Sequence, residues 1–202
     1  MSDQANASTV PPEGFDLWQT VSGDPSQRMS GPLFVCHANC CRSVLACYLY
    51  RSLCHAPAHS AGMDPGDQLN DRAERILRAW GIDASGHRPS KVSRDRCLEA
   101  DAIFMMGPSY LHRLLSEYGE DLAAKAYLFA DPFSTPESFQ RRTYTVWDPS
   151  FDDRPTTDLL PELSWMRERV LQIRLALVGH GGQLVSASHY LDLCRTVDPH
   201  SH

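Results

Sequence analysis

The sequence predicts an α/β fold built on a parallel sheet. Short apolar runs of strand length (Leu33-Phe34-Val35, Ala102 to Met106, Ala126 to Phe129) alternate with longer stretches at helical spacing. The runs are continuous rather than alternating, as in strands buried on both faces. Glycines at positions 81, 119 and 179 close three of the helical stretches.

Taken in order, residues 1–30 are rich in Ser, Pro, Gly, Gln and Asp and show no period, so they read as a flexible leader. Phe15, Leu17 and Trp18 are a docking spot within it or simple surface contacts. The domain is expected over residues 31–180, with a tail at 181–202. Its first strand is Leu33-Phe34-Val35. Ser43 is expected to cap a helix from Val44 to Leu53. His59-Ser60-Ala61-Gly62 reads as a short strand end. Asp67 to Trp80 predicts an amphipathic helix with Leu69, Ala73, Ile76, Leu77 and Trp80 on one face. A short helix around Ser93 to Ala100 precedes the strand at Ala102. Tyr110 to Tyr118 predicts a helix with Leu111, Leu114 and Leu115 inward, and Ala126 to Phe129 is the fourth strand. Ala130 to Thr157 holds many turn formers and two Asp-Pro pairs and reads as a long functional loop. Glu162 to Val178 is the last strong helix. A short helix around Val185 to Cys194 is expected in the tail.

Composition narrows the function classes. The net charge is −6, which argues against nucleic acid as a partner. No apolar run approaches the ~20 residues that span a bilayer, so no membrane segment is expected. Residues 1–30 lack the basic start and apolar stretch of a secretory signal. Seven cysteines, an odd number with five between Cys36 and Cys54, do not read as a disulfide framework. Reduced thiols in the cytoplasm are the expectation. The cluster then asks for a metal or a catalytic thiol.

Ligands of parallel α/β sheets sit beyond the carboxyl ends of strands, at helix N-termini. The first such turn is Val35-Cys36-His37-Ala38-Asn39-Cys40-Cys41-Arg42-Ser43. A loop of this size can wrap a tetrahedral oxyanion with its backbone N–H groups. Arg42 can grip two oxygens, and the field that holds the anion favours a Cys36 thiolate. Asn39 tolerates the left-handed conformation, and Ser43 can donate to the sulfur. The Cys-to-Arg spacing alone is weak evidence; the strand before it and the helix after it give it weight.

This segment resembles the signature of the low-molecular-weight protein tyrosine phosphatases. The resemblance continues through Ser60-Ala61-Gly62, Gly81-Ile82 with His87, Ala100-Asp101-Ala102-Ile103 and Trp147-Asp148-Pro149-Ser150-Phe151. It implies a three-layer α/β/α fold with a four-stranded parallel sheet. It also implies a phosphomonoesterase acting on phosphorylated proteins without metal or cofactor. In that mechanism Cys36 attacks phosphorus and forms a phosphocysteine. Arg42 and the loop residues His37, Ala38, Asn39, Cys40 and Cys41 hold the oxygens, and Ser43 steadies the thiolate. Asp148 acts as general acid and then base, and Asn39 with His87 keeps the loop's shape. Asp131-Pro132 competes for the acid; the family's acid is the second of its two pairs, which favours Asp148. A reversible Cys36–Cys41 disulfide is also implied.

The chain departs from the family pattern in places. Ala38 stands where glycine is usual; a positive φ there would cost alanine about 1 kcal/mol. Cys40 occupies a position that resembles one lining the substrate slot, and it does not choose between phosphotyrosine and phosphoarginine. Cys47 and Cys54 read as packing residues, and Cys97 and Cys194 carry no signal. The rival readings are four: a phosphoarginine phosphatase, an arsenate reductase of the same fold, a catalytically impaired phosphoprotein binder, and zinc on Cys36, His37, Cys40 and Cys41. The reductase needs two more cysteines after the strand ending at Met106, and that stretch reads Phe104-Met105-Met106-Gly107, without cysteine. Zinc needs a second distant ligand pair, which is missing. The oligomeric state is open.

Overall fold

A computed structural model describes residues 31–130 and 145–179. The expectations for the leader, for Asp131-Pro132 and for the tail with its Val185 to Cys194 helix lie outside these residues.

Four parallel strands form one sheet in the order β2-β1-β3-β4, with β1 Leu33–Cys36, β2 His59–Gly62, β3 Ile103–Met105 and β4 Ala126–Leu128. Pairing sets Cys36 opposite Gly62 on one side of β1 and Val35 opposite Met105 on the other. The helices are α1 Arg42–Cys54, α2 Asp71–Ala79, α3 Arg94–Glu99, α4 Pro108–Tyr118 and α5 Leu160–Leu177.

Side chains alternate across a strand, so each strand feeds two cores. Phe34 and Phe104 stack at 5.7 Å between ring centroids on one face, where α1, α2 and α5 supply Leu45, Ile76, Leu77, Met166 and Ile173. Leu33, Val35, Ile103 and Met105 face the other way, toward Cys97 of α3 and Leu111, Leu114 and Leu115 of α4. This is the three-layer α/β/α arrangement. Both faces are covered, which is why the strands are apolar without alternation. Burying Phe34 and Phe104 contributes about 1.5–3 kcal/mol each.

Several helix boundaries differ from expectation. Ser43 is not a cap: α1 begins at Arg42, its cap is Cys41, and the Ser43 hydroxyl is engaged with Cys36 instead. The helix expected from Asp67 starts at Asp71, because the Asn70 side chain accepts hydrogen bonds from the Arg72 and Ala73 amides. Leu69 therefore packs against the core from the preceding loop. Trp80, expected on the buried face, is the C-cap and stands 36% exposed. Gly81 ends that helix at φ +72°, donating to the Arg78 carbonyl while Ile82 reaches Leu77. The described part of the long loop is ordered into 3₁₀ turns at Pro149–Phe151 and Thr156–Leu159. Among the described residues no helix is long and apolar enough to cross a membrane.

Candidate active site

The loop between β1 and α1 is held from outside at every carbonyl. The Cys36 carbonyl accepts from the Met63 amide, His37 from Asp64, Ala38 from Gly66, Cys40 from Asn70 and Cys41 from Leu45, all at 2.9–3.0 Å. The Asn39 carbonyl is 2.8 Å from His87 Nε2. A carbonyl only accepts, so Nε2 carries the proton. In a trans peptide the next residue's N–H points opposite to the carbonyl. Six outward carbonyls therefore turn the amides of residues 37 to 42 toward the inside of the loop, which is how a backbone builds a concavity for an anion.

Asn39 makes this path possible. It is fully buried, with φ +54°, a conformation that asparagine tolerates. Its Oδ1 accepts from the Ser90 amide at 3.0 Å, and its Nδ2 donates to Ser43 Oγ at 3.1 Å. The Ser90 N–H can only donate, so the orientation of the Asn39 amide follows. The Ser43 hydroxyl accepts from Asn39, and its own proton is directed at the Cys36 sulfur, 3.0 Å away. The Asn39 amide adds a second donor to that sulfur at 3.3 Å. Ala38 has no positive φ, so the cost anticipated for alanine does not arise.

Arg42 and Cys36 are both nearly buried. Arg42 Nε pairs with Asp148 Oδ2 at 2.8 Å, and a terminal nitrogen donates to the Tyr110 hydroxyl at 3.1 Å. Burial works against the guanidinium charge, but Asp148 and Tyr110 outweigh it and raise its pKa further. Asp148 opens the Pro149–Phe151 turn, and its Oδ1 accepts from the Ser150 amide and hydroxyl at 3.1 and 2.6 Å. The segment is tied at one end by the Val146 amide, which donates to Met106 beyond β3. At the other end Arg154 bonds Asp152 and Glu162, lies over the Trp147 ring, and accepts at its carbonyl from Arg72 of α2. Arg154 holds Asp152 down at about 2.

The neighbouring thiols differ from Cys36 in setting. Burial, then the charges of Asp148 and Cys36, pushes Cys41 well up. Burial also raises Cys40, whose Sγ donates to the Ala38 carbonyl at 3.2 Å. Cys36, Cys40 and Cys41 are all free thiols. Burial raises Cys47 and Cys97 to about 11. His87 is shifted down, first by its own burial.

The structure thus gathers Cys36, His37, Ala38, Asn39, Cys40, Cys41, Arg42, Ser43, His87 and Asp148 beyond the carboxyl end of the interior strand β1. Sequence reasoning gave no site role to Tyr110, Ser90 or Ser150, nor to the Gly62–Gly66 stretch that receives the loop. Tyr110 carried a usable signal: it lies in the first turn of the helix after β3, where ligands of such sheets are met.

The family model described as low molecular weight phosphotyrosine protein phosphatase matches residues 32–160. Among solved structures, YfkJ from Bacillus subtilis is 23% identical with a TM-score of 0.62, over 78% of this chain and 99% of that one. The tyrosine phosphatase Wzb from Escherichia coli K30, in complex with sulphate, is 19% identical with a TM-score of 0.59, over 75% and 98%. A YwlE arginine phosphatase mutant with a phosphorylated active-site serine is 20% identical with a TM-score of 0.59, over 72% and 95%. At these identities the likeness carries the fold. The comparison with curated proteins finds no match.

Proposed function

Because the chain belongs to the low molecular weight phosphotyrosine protein phosphatase family and is a hydrolase of that type, we propose that it dephosphorylates phosphotyrosine in proteins through a phosphocysteine on Cys36. The observation that carries this is the loop whose six carbonyls, from Cys36 to Cys41, all turn outward. Its inward amides surround the position a phosphate would take above the Cys36 sulfur. The α1 N-terminus adds its partial positive charge at the same point.

Cys36 attacks phosphorus as a thiolate, with the Ser43 hydroxyl and the Asn39 amide donating to its sulfur. Arg42 and the loop amides take the equatorial oxygens, where transition-state charge is spread. Arg42 then exchanges its bond to Asp148 for the phosphate. Asp148, released, takes up the proton that Cys36 gives up on becoming a thiolate, passes it to the leaving oxygen, and afterwards takes a proton from the hydrolytic water. Cys41, held protonated by burial, does not compete as nucleophile for phosphorus; once a peroxide has oxidised Cys36 to a sulfenic acid, the Cys41 thiol attacks that sulfur, water leaves, and a protective disulfide closes. His87 and Asn39 hold the loop's shape. An aryl substrate is favoured by Tyr110, whose ring stacks on His37 at 6.2 Å, and by Phe151, 89% exposed three residues after Asp148. The protein works in a reducing cytoplasm, where its thiols stay free.

The test is hydrolysis of p-nitrophenyl phosphate and phenyl phosphate by wild type, Cys36→Ser and Asp148→Asn. Wild type turns over both, and Cys36→Ser neither. Asp148→Asn loses about 10²- to 10⁴-fold on phenyl phosphate, the poorer leaving group. An inactive, folded wild type defeats the proposal. A faster rate on phosphoarginine than on phosphotyrosine peptides would move the substrate assignment.

A further inference from the structure

We propose that Tyr110 is a positioning residue for Arg42, a strut across the mouth of the phosphate loop that sets the plane of the guanidinium. The proposal rests on Arg42 being the phosphate ligand. Tyr110 spans the loop from end to end. Its hydroxyl accepts from Arg42 at 3.1 Å, its ring lies 5.5 Å from the guanidinium carbon, and the same ring stacks on His37, beside Cys36, at 6.2 Å and 23°.

Tyr110 itself is well anchored. It is the third residue of α4, whose Leu111, Leu114 and Leu115 are buried against the sheet. The residue packs against both apolar cores, and its ring lies over Gly107 at the α4 N-cap, with ring carbons at ordinary contact, 3.6 Å from where a Cβ would stand. The strut therefore ties the arginine to α4, a helix packed on the sheet, rather than to a loop.

Among the described residues Arg42 has two side-chain hydrogen-bond partners of different kinds. Asp148 is a carboxylate that competes with phosphate for the Nε donor and must leave to act as acid. Tyr110 is a neutral acceptor on one terminal nitrogen, so it orients the fork without cancelling its charge. A guanidinium carries five N–H donors, so the strut and a bidentate phosphate are held together. When phosphate displaces Asp148, Tyr110 keeps the guanidinium in place.

The experiment measures inorganic phosphate binding by calorimetry, thermal unfolding, and kcat/KM on phenyl and p-nitrophenyl phosphate for wild type and Tyr110→Phe. Tyr110→Phe keeps the ring and removes the acceptor. We expect phosphate affinity to fall about 3- to 10-fold, as for the loss of one ordinary hydrogen bond. kcat/KM falls by a similar factor on both esters, and Tm stays within about 2 °C. Phosphate affinity within 2-fold of wild type overturns the proposal. So does a loss accompanied by a large fall in Tm, which marks general loosening. A loss confined to phenyl phosphate overturns it too, because the residue would then be acting on Asp148. A wild type that binds phosphate without hydrolysing either ester defeats the proposed function, while the calorimetry still decides the role of Tyr110.

Discussion

Replacing Gly62 with alanine tests the idea that the loop's backbone path is the site. A Cβ on Gly62 would stand 2.5 Å from the His37 carbonyl oxygen, 2.8 Å from the Asn39 nitrogen and 2.9 Å from the Ala38 carbonyl carbon. Ordinary contact begins near 3.4 Å, so the loop must retreat by about 0.9 Å at its tightest point. All three atoms are backbone of the loop, so no side chain can rotate away. The loop cannot retreat alone either, because its carbonyls are bonded to Met63 and Asp64 of the same chain segment. Overpacking of this kind costs about 1–3 kcal/mol of stability. A displacement near 1 Å in a catalytic constellation costs on the order of 10²-fold in rate. Gly62→Ala is therefore expected to unfold at lower urea and to lose about 100-fold in kcat/KM on an aryl phosphate. Gly66→Ala is the control: its Cβ would meet the Cys40 Sγ at 2.7 Å, the end of a side chain that can turn aside. Its loss is expected within about 5-fold. Wild-type activity in Gly62→Ala, or equal damage in the two variants, would refute the reasoning.

Further outcomes are expected at two other positions. His87 is held neutral in the fold, below its ordinary 6.5, chiefly by burial. The unfolded chain takes up its proton first, so stability is full above pH 6.5 and falls as pH drops toward the folded value. Urea midpoints between pH 5 and 8 read this slope, and His87→Gln, which keeps an N–H for the Asn39 carbonyl, flattens it. Arg154→Ala opens the circuit of Trp147, Asp152 and Glu162 around Asp148. Its pairs are exposed, so Tm changes little, but Asp148, the proposed acid, is less well placed. kcat/KM is expected to fall about 10-fold on phenyl phosphate and under 2-fold on p-nitrophenyl phosphate. Equal losses on both esters would show that the circuit does not serve Asp148.

What could be read along the chain was local. Cys36 to Ser43 is a strand end, a loop and a helix start in unbroken succession, so eight residues bring the sulfur, the guanidinium and the hydroxyl together. The glycine stops were legible because a left-handed residue is a property of one position, as at Gly81 and Gly119. Helix starts were harder. Ser43 has the chemistry of a cap, yet its hydroxyl is claimed by Cys36 and Asn39. Asn70, three residues beyond the expected start of α2, caps that helix while its own amide serves the Cys40 carbonyl. Each is a choice between a local and a distant partner, and periodicity sees only the first.

An apolar run has enough pattern to declare a buried strand, and a Cys-Asn-Arg-Ser loop between strand and helix has enough chemistry to nominate an anion site. Neither holds information about which segment, 20 to 110 residues away, closes around it. The order β2-β1-β3-β4 brings Gly62 beside Cys36 and the start of α4 beside Arg42. Only with that order in place do Met63, Asp64, Gly66, His87, Ser90, Tyr110 and Asp148 meet the loop. The residues of the loop carry the chemistry, and the packed sheet decides which way its peptide groups face, since buried carbonyls must find donors wherever the fold supplies them.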